Sequence, residues 1–306
     1  MNTARLRLTG ALLLFGCGWG LTQPLTKITV THGYQPIGMV FWQFVIGAVL
    51  LGILRWRQIR HLKVTLHRLG FWTLIALIGT LIPNSAAYTA TFHLPSGIMS
   101  IILSTIPMIA FPIALALGND QFSWRRLLGL ILGLIGVGLI AFPESSLPER
   151  AMIAFLPLAL IAPFCYASEG NVVARWGTTG LDGFAVLFGA CCIGAVLALP
   201  TAIAARQMFV PSAPFVLADV TLLLSSMIHV LVYAGYVWLI GRSGAVFAGQ
   251  ISYIVTGSGV IWAMLLLGET YSLWVWAALL VMLGGLTLVQ PRLADSAPIK
   301  DTPADV

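Results

Sequence analysis

Charge is what this sequence has least of. Only 8% of its 306 residues are Asp, Glu, Lys or Arg, against 59% that are hydrophobic. A soluble domain carries about a quarter charged residues, so this chain cannot cover a water-facing surface and is expected to lie in a bilayer. Cysteine is scarce as well. Cys17, Cys165, Cys191 and Cys192 all fall within apolar runs and form no C-x-x-C pair, which points to buried thiols rather than a redox or metal site. The sequence has no Walker loop, no glycine-rich nucleotide fingerprint, no His/Cys metal spacing and no nucleophile–base pair. No soluble stretch is large enough to hydrolyse ATP. A non-enzyme is therefore expected, with no catalytic residue, metal or cofactor. The net charge of +6 is spread in short clusters between apolar runs and builds no patch, which argues against a nucleic-acid partner. Membrane lipid and a small-molecule substrate are the expected partners, with the chain as monomer or homodimer.

What is present is long apolar segments. Crossing the hydrocarbon takes about 20 residues. Candidate spans are Leu6–Thr26, Pro36–Leu54, Phe71–Thr89, Ser96–Leu117, Trp124–Ala141, Met152–Trp176, Gly183–Thr201, Phe215–Ile240, Gly244–Leu267 and Leu273–Val289. That makes an all-α integral membrane protein with ten transmembrane helices. Arg5 and Arg7 ahead of the first run imitate a signal peptide, but no clean cleavage site follows, so the run reads as a retained first helix. With the N-terminus inside, every Lys and Arg except Lys27, Arg150 and Arg206 lies on the cytoplasmic side. This bias supports both the count of ten and two cytoplasmic termini. Residues 292–306, polar and rich in Pro and Ala, read as a disordered cytoplasmic tail.

The chain also repeats itself. "IGAVL" occurs at Ile46–Leu50 and again at Ile193–Leu197, an offset of 147 residues. At that offset Gly33 matches Gly180, Phe41 matches Phe188, and Ser96-Gly97 matches Ser243-Gly244. The offset then grows to 150, where Gly118 matches Gly268 and Trp124 matches Trp274. The ordered matches point to duplication, with residues 1–145 and 146–291 as the two copies. Five spans is an odd number, so the second copy enters the membrane from the other side. Inverted repeats of this kind hold a substrate site near the midplane between the halves.

The segments "WGLTQPLTK", "LSTIPMIAF", "LLLGETYSLW", "LILGLIGVGLIAF" and "LLVMLGGLTLV", on this duplicated layout, resemble the drug/metabolite transporter superfamily, EamA type. The resemblance covers roughly Leu6 to Val289. It implies a secondary-active or facilitative transporter of a cell inner membrane whose relatives carry amino acids, purine-related metabolites or toxic cations. An amino acid or similar amphipathic compound, moved outward, is the substrate class expected; an organic cation, with proton coupling, is the alternative. The chain departs from relatives that place Arg in the second helix, where Gln43 stands here.

Polar groups inside apolar spans are the candidate site, because each is costly against lipid unless it faces protein or a cavity. In the first copy these are Trp19, Gln23, Gln43, Asn84 and Tyr88; in the second, Tyr166, Glu169, His229, Tyr233, Gln250 and Tyr253. Glu169 is the only carboxylate well inside a span, and it suits an ammonium group or a transported proton. His229, Tyr233 and Tyr236 are spaced for one helix face, as are Gln250 and Tyr253. Pro24, Pro107 and Pro112 break backbone hydrogen bonds and are candidate kinks or gating points. Lys27 reads as a snorkelling cation near the outer end of its helix. Gly268-Glu269 reads as a cap or turn.

Overall fold

The computed structural model describes residues 3–211, 214–243 and 245–289. The tail assigned to 292–306 lies outside them. Among the described residues all regular secondary structure is helical, without strands. In order the helices are α1 (Thr3–Thr31), α2 (Pro36–Leu54), α3 (Trp56–Ile59), α4 (Leu66–Ala76), α5 (Ile82–His93), α6 (Ser96–Leu103), α7 (Ile106–Ala116), α8 (Trp124–Ala141), α9 (Leu156–Trp176), α10 (Gly183–Ala204), α11 (Leu217–Ser243), α12 (Ala245–Gly249), α13 (Ile251–Leu267) and α14 (Leu273–Val289).

Several long rods are built from two helices. A π-helical stretch, Leu77–Leu81, joins α4 to α5, with the amide of Ile82 bonding the carbonyl of Leu77. Pro83 brings no N–H to the carbonyl of Gly79, and widening the helix there absorbs the missing bond. α6 and α7 are separated at Ser104-Thr105, whose hydroxyls both donate at 2.7 Å to carbonyls of the preceding turn, those of Ile101 and Ile102. Pro107 stands just beyond this break, whereas Pro24 and Pro112 lie inside continuous helices.

Among the described residues, 8 helical rods are long and apolar enough to cross a membrane. This differs from the ten expected, for two physical reasons. α14 is a shorter apolar helix of 17 residues. α1 has ample length but is diluted by Gly16, Trp19, Gln23, Pro24 and Lys27. Large apolar side chains such as Leu265, Val196, Leu280 and Leu273 stand exposed on the outside of the bundle, where lipid would cover them.

Small residues set the helix pairing. A side chain added at Gly16 would strike Ile254, and one at Gly20 would strike Ser258 and the amide of Gly259, so α1 lies directly on α13. Gly129 on α8 and Gly285 on α14 approach so closely that a Cβ on either would come within 2.8 Å of the other's carbonyl oxygen. α2 and α10 meet through the repeated pentapeptides. Gly47 receives Cys191, and Gly194 receives Phe44. Under the 147-residue offset Phe44 corresponds to Cys191 and Gly47 to Gly194, so the contact is reciprocal, as across a two-fold axis. The wider pattern behaves alike. α1 packs on α11 and α13, and α9, which α1 overlays under the same 147-residue offset, packs on α5 and α7.

Candidate functional site

The centre of the bundle carries a hydrogen-bonded network drawn from three rods. Asn84 on α5 donates from Nδ2 to Oε1 of Gln43 on α2 at 2.8 Å, and the Tyr88 hydroxyl donates to the same oxygen at 2.7 Å. The Tyr166 hydroxyl on α9 donates to Oδ1 of Asn84. Gln43 and Asn84 are buried, at 6% and 4% exposure. Tyr88 and Tyr166 are half-buried, so the network has a closed amide floor and a partly open phenolic edge. Four of the expected residues are thus in direct contact.

Glu169 lies one turn beyond Tyr166 on α9, within electrostatic reach of Tyr166 and of Tyr233 on α11. Its carboxylate takes no hydrogen bond or ion pair from the described residues. It rests instead on Gly79, in the π-helical stretch, where an added Cβ would lie 2.6 Å from Oε1. The sequence reading missed Gly79. The available signal was a glycine four residues before a proline inside a span, which marks a freed carbonyl.

A second group surrounds α1. The Trp19 ring meets His229 edge-on at 5.8 Å and Tyr236 at 6.0 Å. Gln23 is half-buried one turn along from Trp19 on the same face and makes no hydrogen bond with the described residues. Tyr233, between His229 and Tyr236 on α11, is half-buried and also makes no hydrogen bond with the described residues. The remaining two expected residues are elsewhere. Gln250 is exposed at the turn between α12 and α13, and Tyr253 packs with Met108, Phe111 and Leu286. Their shared stripe starts at a helix break, so helical spacing did not carry them to the network.

The two residues expected to be peripheral make the densest polar contacts at one end of the bundle. Lys27 Nζ donates to the carbonyls of Thr91, Phe92 and Leu94 at 2.7, 3.0 and 3.0 Å, closing the C-terminus of α5. Gly268 takes a left-handed φ of 65°, ends α13 and turns Glu269 back toward α6. The Glu269 carboxylate accepts from the amides of Ser96 and Gly97 at 2.7 and 3.1 Å and from the Tyr271 hydroxyl at 2.5 Å. Burial, with the adjoining Glu269 carboxylate, holds the Tyr271 phenol above the usual tyrosine range, so it stays a donor. The expected cap at Gly268-Glu269 is therefore present, but it caps a different helix, across the bundle. Lys27 is no snorkelling side chain; it is spent on carbonyls.

Residues 8–142 match the model of the EamA-like transporter family, within the drug/metabolite transporter superfamily. The matched stretch runs from α1 through α8, and it covers the segments on which the resemblance was read in the first half of the sequence. Proteins of this family are membrane transporters of small molecules, not enzymes. A solved structure titled only "Crystal structure of protein" is similar over 94% of this chain and 97% of its own length, with a TM-score of 0.56 at 18% identity. At that identity the likeness carries the fold alone. Among curated proteins, none matches the chain.

Proposed function

From a first half that matches EamA-like transporters, we propose that the chain is a ten-span carrier of a cell inner membrane. Residues 1–145 and 146–291 form two inverted five-helix repeats with both termini cytoplasmic, and alternating access between them moves a small amphipathic metabolite. The reciprocal packing of Gly47 on Cys191 and Gly194 on Phe44 supports the inversion. The positive-inside bias of Lys and Arg supports the orientation. An amino acid or related compound, moved outward, is the first substrate class.

The observation that carries the proposal is the network joining Gln43, Asn84 and Tyr88 of the first copy to Tyr166 of the second. It joins polar side chains across the seam that must part and re-form as the halves rock. Its amides orient polar groups of a substrate, while the phenols and the Trp19 indole offer flat apolar faces. Pro24, Pro107 and Pro112 each remove a backbone donor, which weakens the helix where a span would bend as the seam moves.

A second reading is favoured by one specific feature. Glu169 is a carboxylate with no hydrogen-bond or ion-pair partner among the described residues, beside aromatic side chains, and a carboxylate with aromatic faces suits an organic cation. Proton exchange at Glu169 would then couple the cycle. Uptake into liposomes containing only this protein tests both readings, with leucine and tetraethylammonium as probes. Leucine flux that survives Glu169→Gln supports the amino-acid class. Tetraethylammonium flux lost in Glu169→Gln supports the cation class, and no flux of any amphipathic probe overturns the proposal.

A further inference from the structure

The corner where α5 meets α6 is held from two sides by opposite charges, and neither charge belongs to the corner itself. Lys27 arrives from α1 and uses all three of its protons on the carbonyls of Thr91, Phe92 and Leu94. Glu269 arrives from the turn between α13 and α14 and covers the first two amides of α6. Each charge sits at the helix end whose dipole favours it: a cation at the C-terminus of α5 and an anion at the N-terminus of α6. Pro95, between the two ends, has no N–H to offer. Backbone groups left open at the corner are thus met by side chains from distant parts of the chain.

We propose that Lys27, Glu269 and Tyr271 form the clasp of the gate on this face, and that the structure describes the carrier with this face shut. α1 packs on α11 and α13, so Lys27 moves with the helices of the second copy, whereas the corner belongs to the first. Opening a passage between them requires these charge-assisted bonds to break together. The repeat makes the device one-sided. At the matching offsets, Lys27 corresponds to Ala174 and Glu269 to Asn119, and the Asn119 amide bonds the carbonyl of Asn171 on α9 instead. The opposite corner, between α11 and α12, therefore lacks the pair of charges at the equivalent positions. The clasp biases the carrier toward closure on the α5–α6 face, which the orientation proposed above makes the outer face.

The meaning of the clasp as a gate rests on the alternating-access reading, but its test does not need a substrate. Nitroxide labels are attached at Phe92→Cys and Leu273→Cys, both exposed positions flanking the clasp, in the full chain with its four cysteines replaced by alanine. Distances are read by electron–electron resonance in nanodiscs. The labelled parent is expected to give one short distance. Glu269→Gln and Lys27→Met are expected to move most of the population to a longer one, and Lys27→Arg, which keeps the charge and donors, to retain the parent distance. Tyr271→Phe, which removes a single hydroxyl, should give a partial shift and serves if Lys27→Met fails to fold. An unchanged distance in Glu269→Gln and in Tyr271→Phe overturns the clasp and leaves two static helix caps. If the corner opens as expected but no probe crosses liposomes, the transport reading fails while the clasp stands.

Discussion

The α5–α6 corner and the α11–α12 corner fall at matching places under the 147-residue offset, Ser96-Gly97 against Ser243-Gly244, yet the side chains at the positions equivalent to the first corner's caps differ. The first is closed by an ammonium and a carboxylate brought from distant spans. At the second, the equivalent positions are Ala174 and Asn119, and the amide of Asn119 is engaged on α9. On the proposed two-gate reading, whichever corner carries the stronger polar closure is shut for more of the time. A difference of a few side chains is enough to set that preference, because the two states of a carrier are separated by a few kcal/mol.

The comparison can be broken most sharply at Lys27. Lys27→Met removes three charge-assisted hydrogen bonds from a half-exposed group and is expected to cost about 3 kcal/mol. Chemical unfolding in mixed micelles measures this, and a loss within experimental error would remove Lys27 from the account. Next comes the contact that keeps α1, and with it Lys27, pressed on α13. Gly20→Ala places a methyl group 2.8 Å from the amide of Gly259 and should cost about 2 kcal/mol, whereas Gly257→Ala, with no atom within 4 Å of its Cβ, should be close to neutral. Equal costs would show that the α1–α13 seam is not close-packed as described. At the opposite corner, Asn119→Ala forfeits two neutral hydrogen bonds to Asn171, one of them long at 3.4 Å, together about 1 kcal/mol, and should leave the Phe92–Leu273 label distance untouched.

The smallest effect concerns pH. The Tyr271 phenol is raised in the folded chain, so its stabilising bond to Glu269 is intact below the ordinary tyrosine value of about 10 and fades as pH rises above it. Melting temperatures taken from pH 7 to 11 should show the parent losing its advantage over Tyr271→Phe only at the alkaline end. An advantage that vanishes below pH 9 would mean another group holds Tyr271 in place.

Much of this was legible in the sequence because lipid is a severe solvent. An amide or phenol in an apolar span stands out, and Gln43, Asn84, Tyr88 and Tyr166 all stood out for that reason. Their mutual bonding was not legible, since it depends on the rotation of three separate rods. Gln250 and Tyr253 satisfied the same spacing rule, but a helix break at the start of their stripe sends them elsewhere. Gly79 was missed because its contribution is an absence of side chain; its one mark in the sequence is the proline four residues on, from which the widening of the helix around it follows. Lys27 was recognised as a cation near a helix end. Its real acceptors, carbonyls some 64 to 67 residues away, belong to tertiary packing alone. The span count suffered from the opposite problem: α1 is long enough to cross, yet the glycines, the amide and the cation that suit it for packing and clasping dilute the apolar signal.

Everything about the two corners assumes that they face opposite sides of the membrane. An impermeant maleimide applied to intact cells tests this directly in the chain lacking native cysteines, with Phe92→Cys, Leu273→Cys and Arg242→Cys made one at a time at exposed positions. Phe92→Cys and Leu273→Cys should be labelled on intact cells, and Arg242→Cys only once the cells are permeabilised. Labelling of all three from the same side would contradict the inverted arrangement and, with it, the pairing of a clasped gate against an unclasped one.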